Sequence, residues 1–278
     1  KLNANIFYGS SYAKILQNQG MVYPEFSEQV HVIDPFDPDT KQTAPLDVWL
    51  SKTKYWPMFE GMDWGITNPT AWLFCKVNPE NGNIYFYAEH YQSGLNVDQH
   101  SAVVISKRKD EEPVASVADP SVFRKEGGYL STIADDFLRA SKKKICLQPG
   151  QAKPKTRAMS IVSSYLLGVN GPRVFFFRGT CPNTITEFGL YMKSDTPDES
   201  KNPSETPKKS HDHGMNSLEY VLTYIHDYYA GKKTPFKYGK MTPSLRDQID
   251  AAYEATQRLP LIRKPKGPSI DQYSGYLA

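Results

Sequence analysis

The stretch MFEGMDWGITNPTAWLFCKVNPENGNIYFYAEHY (residues 58–91) decides how the rest of the chain reads. Met58 to Trp64 runs into a turn at Gly65-Ile66-Thr67-Asn68-Pro69, where Gly, Asn and Pro supply turn chemistry. Thr70 to Val77 is apolar and aromatic, as a buried strand is. Asn78 to Asn83 has hairpin-turn composition, and Ile84 to Tyr91 reads as the return strand. A three-stranded antiparallel meander follows, with Asp63 at the end of its first strand.

Working outward, the pattern changes to alternating helices and strands. Val97 to Lys109 predicts a helix, and Val114 to Asp119 a short strand stopped by Pro120. Leu130, Ile133, Ala134, Phe137 and Leu138 repeat at helical spacing. Lys144 to Leu147 predicts a strand, and Ala158, Ile161, Val162, Tyr165 and Leu166 mark another helix. Val174 to Phe177 is an apolar strand, and Cys181 to Met192 a helix. Residues 193–210 are polar and Pro-rich, a mobile loop by composition. A last long helix carries Leu218, Val221, Leu222 and Ile225 on one face, and its start holds His211-Asp212-His213. Upstream, Tyr8 to Gln19 suits a short helix that Gly20 to Phe26 breaks, and residues 34–45 read as loop. Beyond Lys232, periodic apolar sequence is confined to Leu245–Ala255. A meander followed by βα units predicts an α/β fold: one mixed sheet, antiparallel then parallel, with helices on both faces. That order fits a ribonuclease-H-like domain, and it fits several other α/β folds as well.

The 278 residues suffice for one large α/β domain, or one domain with a small appendage. No run of about 18 apolar residues suggests a membrane span, and the opening Lys1-Leu2-Asn3-Ala4-Asn5 has no signal-peptide pattern. Cys75, Cys146 and Cys181 are far apart with no C-x-x-C pairing, which argues against a zinc ribbon and for three buried or partly buried thiols in a reducing compartment. The net charge of +3 does not by itself point to nucleic acid. Between Arg139 and Arg157, however, seven basic residues (Arg139, Lys142, Lys143, Lys144, Lys153, Lys155 and Arg157) meet no acidic one. From Gly231 onward there are nine basic and four acidic residues. Such stretches contact phosphates or simply form solvated surface.

Three acidic positions stand at comparable places. Asp63 ends the first strand, Asp119 ends a later one, and Asp212 opens the last helix beside His213. Pairing of the first and fourth strands would bring Asp63 and Asp119 to one sheet edge, where the last helix can deliver Asp212 and His213. Carboxylates gathered this way repel unless a cation lies between them, and hard oxygen donors suit Mg²⁺ or Mn²⁺. Two such ions can clamp a scissile phosphate. Each residue also has a plain structural use: Asp63 and Asp119 as turn residues, Asp212 as a helix N-cap. His211 and His213 have no further Cys or His cluster to complete a zinc site.

Taken together, the segments resemble the C-terminal nuclease domain of the large terminase subunit of tailed bacteriophages, over roughly residues 20–230. The resemblance rests on Gly20-Met21-Val22-Tyr23-Pro24-Glu25-Phe26, on Asp63-Trp64-Gly65 followed by Asn68-Pro69-Thr70, on Ala118-Asp119-Pro120-Ser121, and on Asp212-His213-Gly214-Met215-Asn216-Ser217-Leu218-Glu219-Tyr220. Asn216 stands where the family motif has a second Asp. The resemblance implies a ribonuclease-H-like nuclease using two Mg²⁺ or Mn²⁺ ions to cut concatemeric viral DNA during packaging. Its metal and catalytic residues would be Asp63, Asp119 and the Asp212-His213 pair, the third ligand being a choice between those two neighbours. Lys142, Lys143, Lys144, Lys153, Lys155 and Arg157 would contact the DNA backbone. Residues 1–50 would be a lead-in segment or linker from an ATPase domain, 51–230 the nuclease domain, and 231–278 a basic tail. Double-stranded DNA, the portal protein and the small terminase subunit are the implied partners, and the host cell cytoplasm the place of action. The motor activity of that family needs a G-x-x-x-x-G-K-[ST] loop, which this chain lacks, so no ATPase activity is expected of it. A Holliday-junction resolvase or integrase-type nuclease, preferring four-way junctions, is the rival of the same class. A non-enzymatic module docking on portal or DNA, binding no Mn²⁺ through Asp63 and Asp119, is the rival of another.

Overall fold

A computed structural model of the chain describes residues 20–125, 131–150, 154–168, 173–194 and 207–230. The strands are β1 (Val32–Ile33), β2 (Met58–Asp63), β3 (Thr70–Val77), β4 (Ile84–Gln92), β5 (Ala115–Ala118), β6 (Leu147–Pro149) and β7 (Val174–Phe177). The helices are α1 (Glu28–His31), α2 (Leu46–Lys52), α3 (Val97–Arg108), α4 (Ile133–Ala140), α5 (Lys155–Leu167), α6 (Pro182–Leu190) and α7 (His213–Ala230). The seven strands form one sheet in the order β1-β7-β4-β3-β2-β5-β6. β2, β3 and β4 are the expected antiparallel meander, and β5, β6, β7 and β1 add to it in parallel.

Every residue of β2 and β3 is buried, because the sheet is covered on both faces. Phe59, Leu73, Phe86 and Val117 face one core, closed by Ile161 and Val162 of α5, Phe188 of α6, and Leu218 and Val221 of α7. Met58, Met62, Trp72 and Tyr87 face the other, closed by Trp49 of α2, Val104 of α3 and Phe137 of α4. Residues 20–50, expected as a lead-in segment, contribute β1 to the sheet edge and bury Tyr23 and Trp49 completely. The helix expected over Tyr8–Gln19, the apolar stretch Leu245–Ala255 and the basic tail lie outside the described residues, as does most of the 193–210 loop, whose ends meet in a Lys193–Pro207 bridge. The strand expected over Lys144–Leu147 pairs instead over Leu147–Pro149, and Lys142 and Lys143 adopt left-handed conformations before it. Cys75 and Cys181 are buried, but Cys146 is exposed, contrary to the expectation for all three thiols. Among the described residues no helix is long and apolar enough to cross a membrane.

Two features fix the helices to β2. On one face the buried Glu60 carboxylate accepts from Arg108 Nε and Nη2, both at 2.7 Å, and from Ser116 Oγ at 2.7 Å, so the end of α3 is pinned to the sheet centre. Removing either charge strands the other in the core, at a cost of about 3–5 kcal/mol. On the opposite face Gly61 lets α7 rest directly on β2: a Cβ there would lie 2.2 Å from the Ser217 carbonyl oxygen and 3.0 Å from Val221 Cβ. Gly61→Ala therefore has to push the helix off the strand. We expect it to lower the unfolding free energy by about 1–3 kcal/mol, measured as a shift in urea midpoint at unchanged slope.

Candidate active site

Alternation along a strand decides which acids face the same way. Phe59, Gly61 and Asp63 share the α7 face of β2, and Ala115, Val117 and Asp119 share it on β5. The parallel register pairs Phe59 with Ala115, Gly61 with Val117 and Met62 with Ala118. The Asp119 N–H continues it by donating to the Met62 carbonyl at 3.1 Å. Asp63 and Asp119 thus leave neighbouring strand ends on one face. Neighbouring strands lie about 4.8 Å apart, close enough that the Asp119 charge acts on the Asp63 carboxyl.

α7 brings the third segment. His213 and Tyr220 both lie on its sheet-facing side. The His213 ring meets the Asp63 carboxylate, Nδ1 to Oδ2, at 2.9 Å. An ionised carboxylate only accepts, so Nδ1 carries the hydrogen in this contact. Tyr220 donates its hydroxyl to Asp119 Oδ2 at 2.7 Å, while Asp119 Oδ1 takes the Ser121 N–H at 2.6 Å in the turn begun by Pro120. Gly150 makes room for this tyrosine, since a Cβ there would sit 2.7 Å from its ring. Asp212 caps the helix, its carbonyl accepting the Asn216 N–H at 2.7 Å. Asn216 Nδ2 also donates to Asp212 Oδ2 at 3.3 Å.

Burial, and secondarily the charges of Asp119 and Asp212, push the Asp63 carboxyl above its usual range, although its contact with His213 pulls the other way. The hydrogen bond to Asp63 is the main cause that raises His213 above an ordinary imidazole, against the cost of burial. Both shifts have one direction: folded, these groups hold protons more tightly, Asp63 because it is buried and His213 because it bonds to Asp63. Glu187 of α6 adds a further acid at the start of α7, accepting the Met215 N–H at 3.1 Å and the Tyr91 hydroxyl at 2.5 Å. A carboxylate there suits the positive end of the helix.

The structure thus brings Asp63, Asp119, Asp212 and His213 to one sheet edge. It treats the basic residues differently. Lys142, Lys143 and Lys144 are exposed, but they precede β6 and stand at the opposite end of the parallel strands from Asp119. Lys155 is drawn inward to the buried Glu219 of α7, at 2.6 Å, and Arg157 is ion-paired to Asp227. Lys153 lies outside the described residues. Tyr220, Glu187 and Glu219 were not singled out by sequence. Tyr220 was within reach, seven residues past His213 and so on the same helix face. Glu219 reads in sequence as an ordinary polar helix residue.

A pH dependence follows. Both Asp63 and His213 have folded-state pKa values raised above their unfolded ones, so the stability they lend is fully present below those unfolded values. It is lost as pH rises through the raised folded values, for His213 above the ordinary 6.5. We expect the His213 imidazole to titrate above 6.5 by NMR and to move back down in Asp63→Asn. An unmoved titration in that variant would contradict the contact.

No family model and no curated protein matches the chain at the level of sequence. Among solved structures, the chain is similar to the large terminase of a thermophilic bacteriophage in complex with ADP, with TM-score 0.55 and 18% identity over 74% of this chain and 45% of that one. It is also similar to the P22 large terminase nuclease domain, with TM-score 0.54 and 17% identity over 76% of this chain and 94% of that domain. The chain therefore spans a little under half the length of the thermophilic-phage terminase and nearly all of the P22 domain. In fold, it is a ribonuclease-H-like α/β domain of the kind found in the large terminase nuclease.

Proposed function

We propose that the chain is a metal-dependent endodeoxyribonuclease that cuts concatemeric viral DNA during genome packaging. The observation that supports this most is the meeting of three distant segments at one sheet edge, with His213 on Asp63 and Asp119 beside it in register. The likeness in fold to the P22 large terminase nuclease domain points the same way.

The donor set suits a hard divalent cation. Asp63, Asp119 and Asp212 offer carboxylate oxygens, and the charges of Asp119 and Asp212 both act on Asp63. Among the described residues no three such groups are close enough to hold an ion as they stand, so binding requires these side chains to turn toward one another. Asp63 and Asp119 would hold Mg²⁺ or Mn²⁺, two ions in all, with Asp212 as the third oxygen ligand. Two such ions supply an activated water and charge stabilisation for the leaving oxygen. His213 is the better positioning group of its pair, because its Nδ1 is engaged with Asp63. It holds the Asp63 carboxylate in orientation and keeps a proton at Nδ1. Tyr220 does the same for Asp119 through its hydroxyl.

Double-stranded DNA is the substrate in this reading. The exposed Lys142, Lys143 and Lys144 would grip the backbone at a distance from the scissile phosphate, which makes binding salt-dependent. Lys155 and Arg157 are engaged with protein carboxylates and contribute less to DNA binding than their charge suggests. Portal and small terminase subunit would be partners of the whole protein, in the host cytoplasm.

The test is direct. Supercoiled plasmid incubated with the chain and Mn²⁺ or Mg²⁺ should be nicked and linearised. Asp63→Ala and Asp119→Ala should each reduce the rate by a factor of at least about 100, the loss expected when charge stabilisation at the reacting centre is removed. Wild-type chain that never nicks, or an Asp63→Ala chain that cuts as well, rules the nuclease out.

A further inference from the structure

Along α7, Asp212, Asn216 and Glu219 fall at i, i+4 and i+7 and so share a second face, next to the one that meets Asp63. That face looks onto the start of α5. Lys155 Nζ stands 2.6 Å from Glu219 Oε2 and 2.6 Å from Asn216 Oδ1, above the Tyr191 ring with Nζ 5.7 Å from its centroid. Glu219 is 2% exposed and also accepts the Tyr23 hydroxyl at 2.7 Å and that of Tyr191 at 3.5 Å. Asn216 Nδ2 reaches Asp212 Oδ2.

The chemistry of these partners leaves one orientation for the Asn216 amide. Lysine only donates, so the oxygen faces Lys155; an ionised carboxylate only accepts, so the nitrogen faces Asp212. An aspartate at position 216 would keep the contact with Lys155 but set a second carboxylate oxygen against Asp212. Asparagine instead turns a lysine charge into a hydrogen bond that holds the Asp212 carboxylate. Lys155 is held in turn by Glu219, a buried carboxylate whose charge would be stranded without it.

We propose that Asn216 and Lys155 are positioning residues for Asp212: a relay running from buried Glu219 through Lys155 and the Asn216 amide fixes the carboxylate that completes the metal centre. The proposal rests on Asp212 being a metal ligand. Lys155 acts in it through Asn216 and not as a contact to DNA, and Asn216 acts as a donor to Asp212 and not as a ligand. The Tyr23 hydroxyl ties the Tyr23-Pro24 segment into the same relay at Glu219.

Calorimetric titration of the full chain with Mn²⁺, alongside steady-state cleavage, tests it. Asn216→Leu keeps the side-chain shape and removes both hydrogen bonds. Lys155→Met alone strands Glu219, so it is paired with Glu219→Gln to keep the fold, checked by thermal unfolding. Each change should weaken Mn²⁺ binding about tenfold, the scale for groups that orient metal ligands. Each should lower kcat with KM for DNA changed by less than about twofold, and Lys155→Arg should retain most of the affinity. Asp212→Ala should weaken Mn²⁺ binding more than either. If Asp212→Ala binds Mn²⁺ like wild type, Asp212 is no ligand and the relay falls with that assignment. If Asp212→Ala is weakened but Asn216→Leu and the Lys155→Met/Glu219→Gln pair are not, the ligand stands and the relay is refuted. Weakening by Asn216→Leu alone would make Asn216 a ligand in its own right, and a raised KM at unchanged Mn²⁺ affinity would make Lys155 a phosphate contact; either overturns the proposal.

Discussion

At Gly61 a helix backbone comes to rest on a strand backbone with no side chain between them. That approach sets the geometry of the whole sheet edge. With Ser217 held over Gly61, moving four residues back along α7 covers about 6 Å, and moving two residues on along β2 covers about 6.7 Å. The two paths end together, and His213 meets Asp63 there at 2.9 Å. Side chains of a helix lean toward its N-terminus, so Tyr220, anchored further down α7, still reaches Asp119 on the next strand. A bulkier residue at position 61 would lift α7 and loosen both contacts at once.

The same approach creates an electrostatic problem that the fold solves only in part. Asp63 and Asp119 sit side by side, with Asp212 and Glu187 nearby, in a place where burial already penalises charge. The first turn of α7 offers its N–H groups and its positive end, and His213 offers a proton. Burial first, and the charges of Asp119 and Asp212 after it, still leave the Asp63 carboxyl above its usual range. Elsewhere in the same fold, buried carboxylates have partners of their own: Glu60 has Arg108 and Ser116, and Glu219 has Lys155 and two tyrosines, although burial raises Glu219 as it does Asp63.

Much of this was legible in sequence, for reasons that can be named. The meander was readable because turn residues separate three apolar runs, and Asp63 and Asp119 because each ends such a run. Their meeting depends on β2 pairing with β5, which local sequence does not encode but the usual order of βα units suggests. What stayed hidden was long-range. Lys155 and Arg157 belong by sequence to one basic stretch with Lys142–Lys144, yet the turn into β6 and the position of α5 send them to different carboxylates. β6 starts later than its apolar residues suggest because its limits are set by the short strand it pairs with. Asn216 reads as a departure from an acidic motif, and only the distance to Lys155 gives it a use.

A crystal of the chain grown with Mn²⁺, with anomalous scattering collected at the manganese edge, tests the central claim most directly. Anomalous peaks are expected at the edge formed by the ends of β2 and β5, with Asp63, Asp119 and Asp212 side chains turned to ligate them and His213 still on Asp63. Peaks elsewhere on the molecule, or none at this edge at millimolar Mn²⁺, would contradict it.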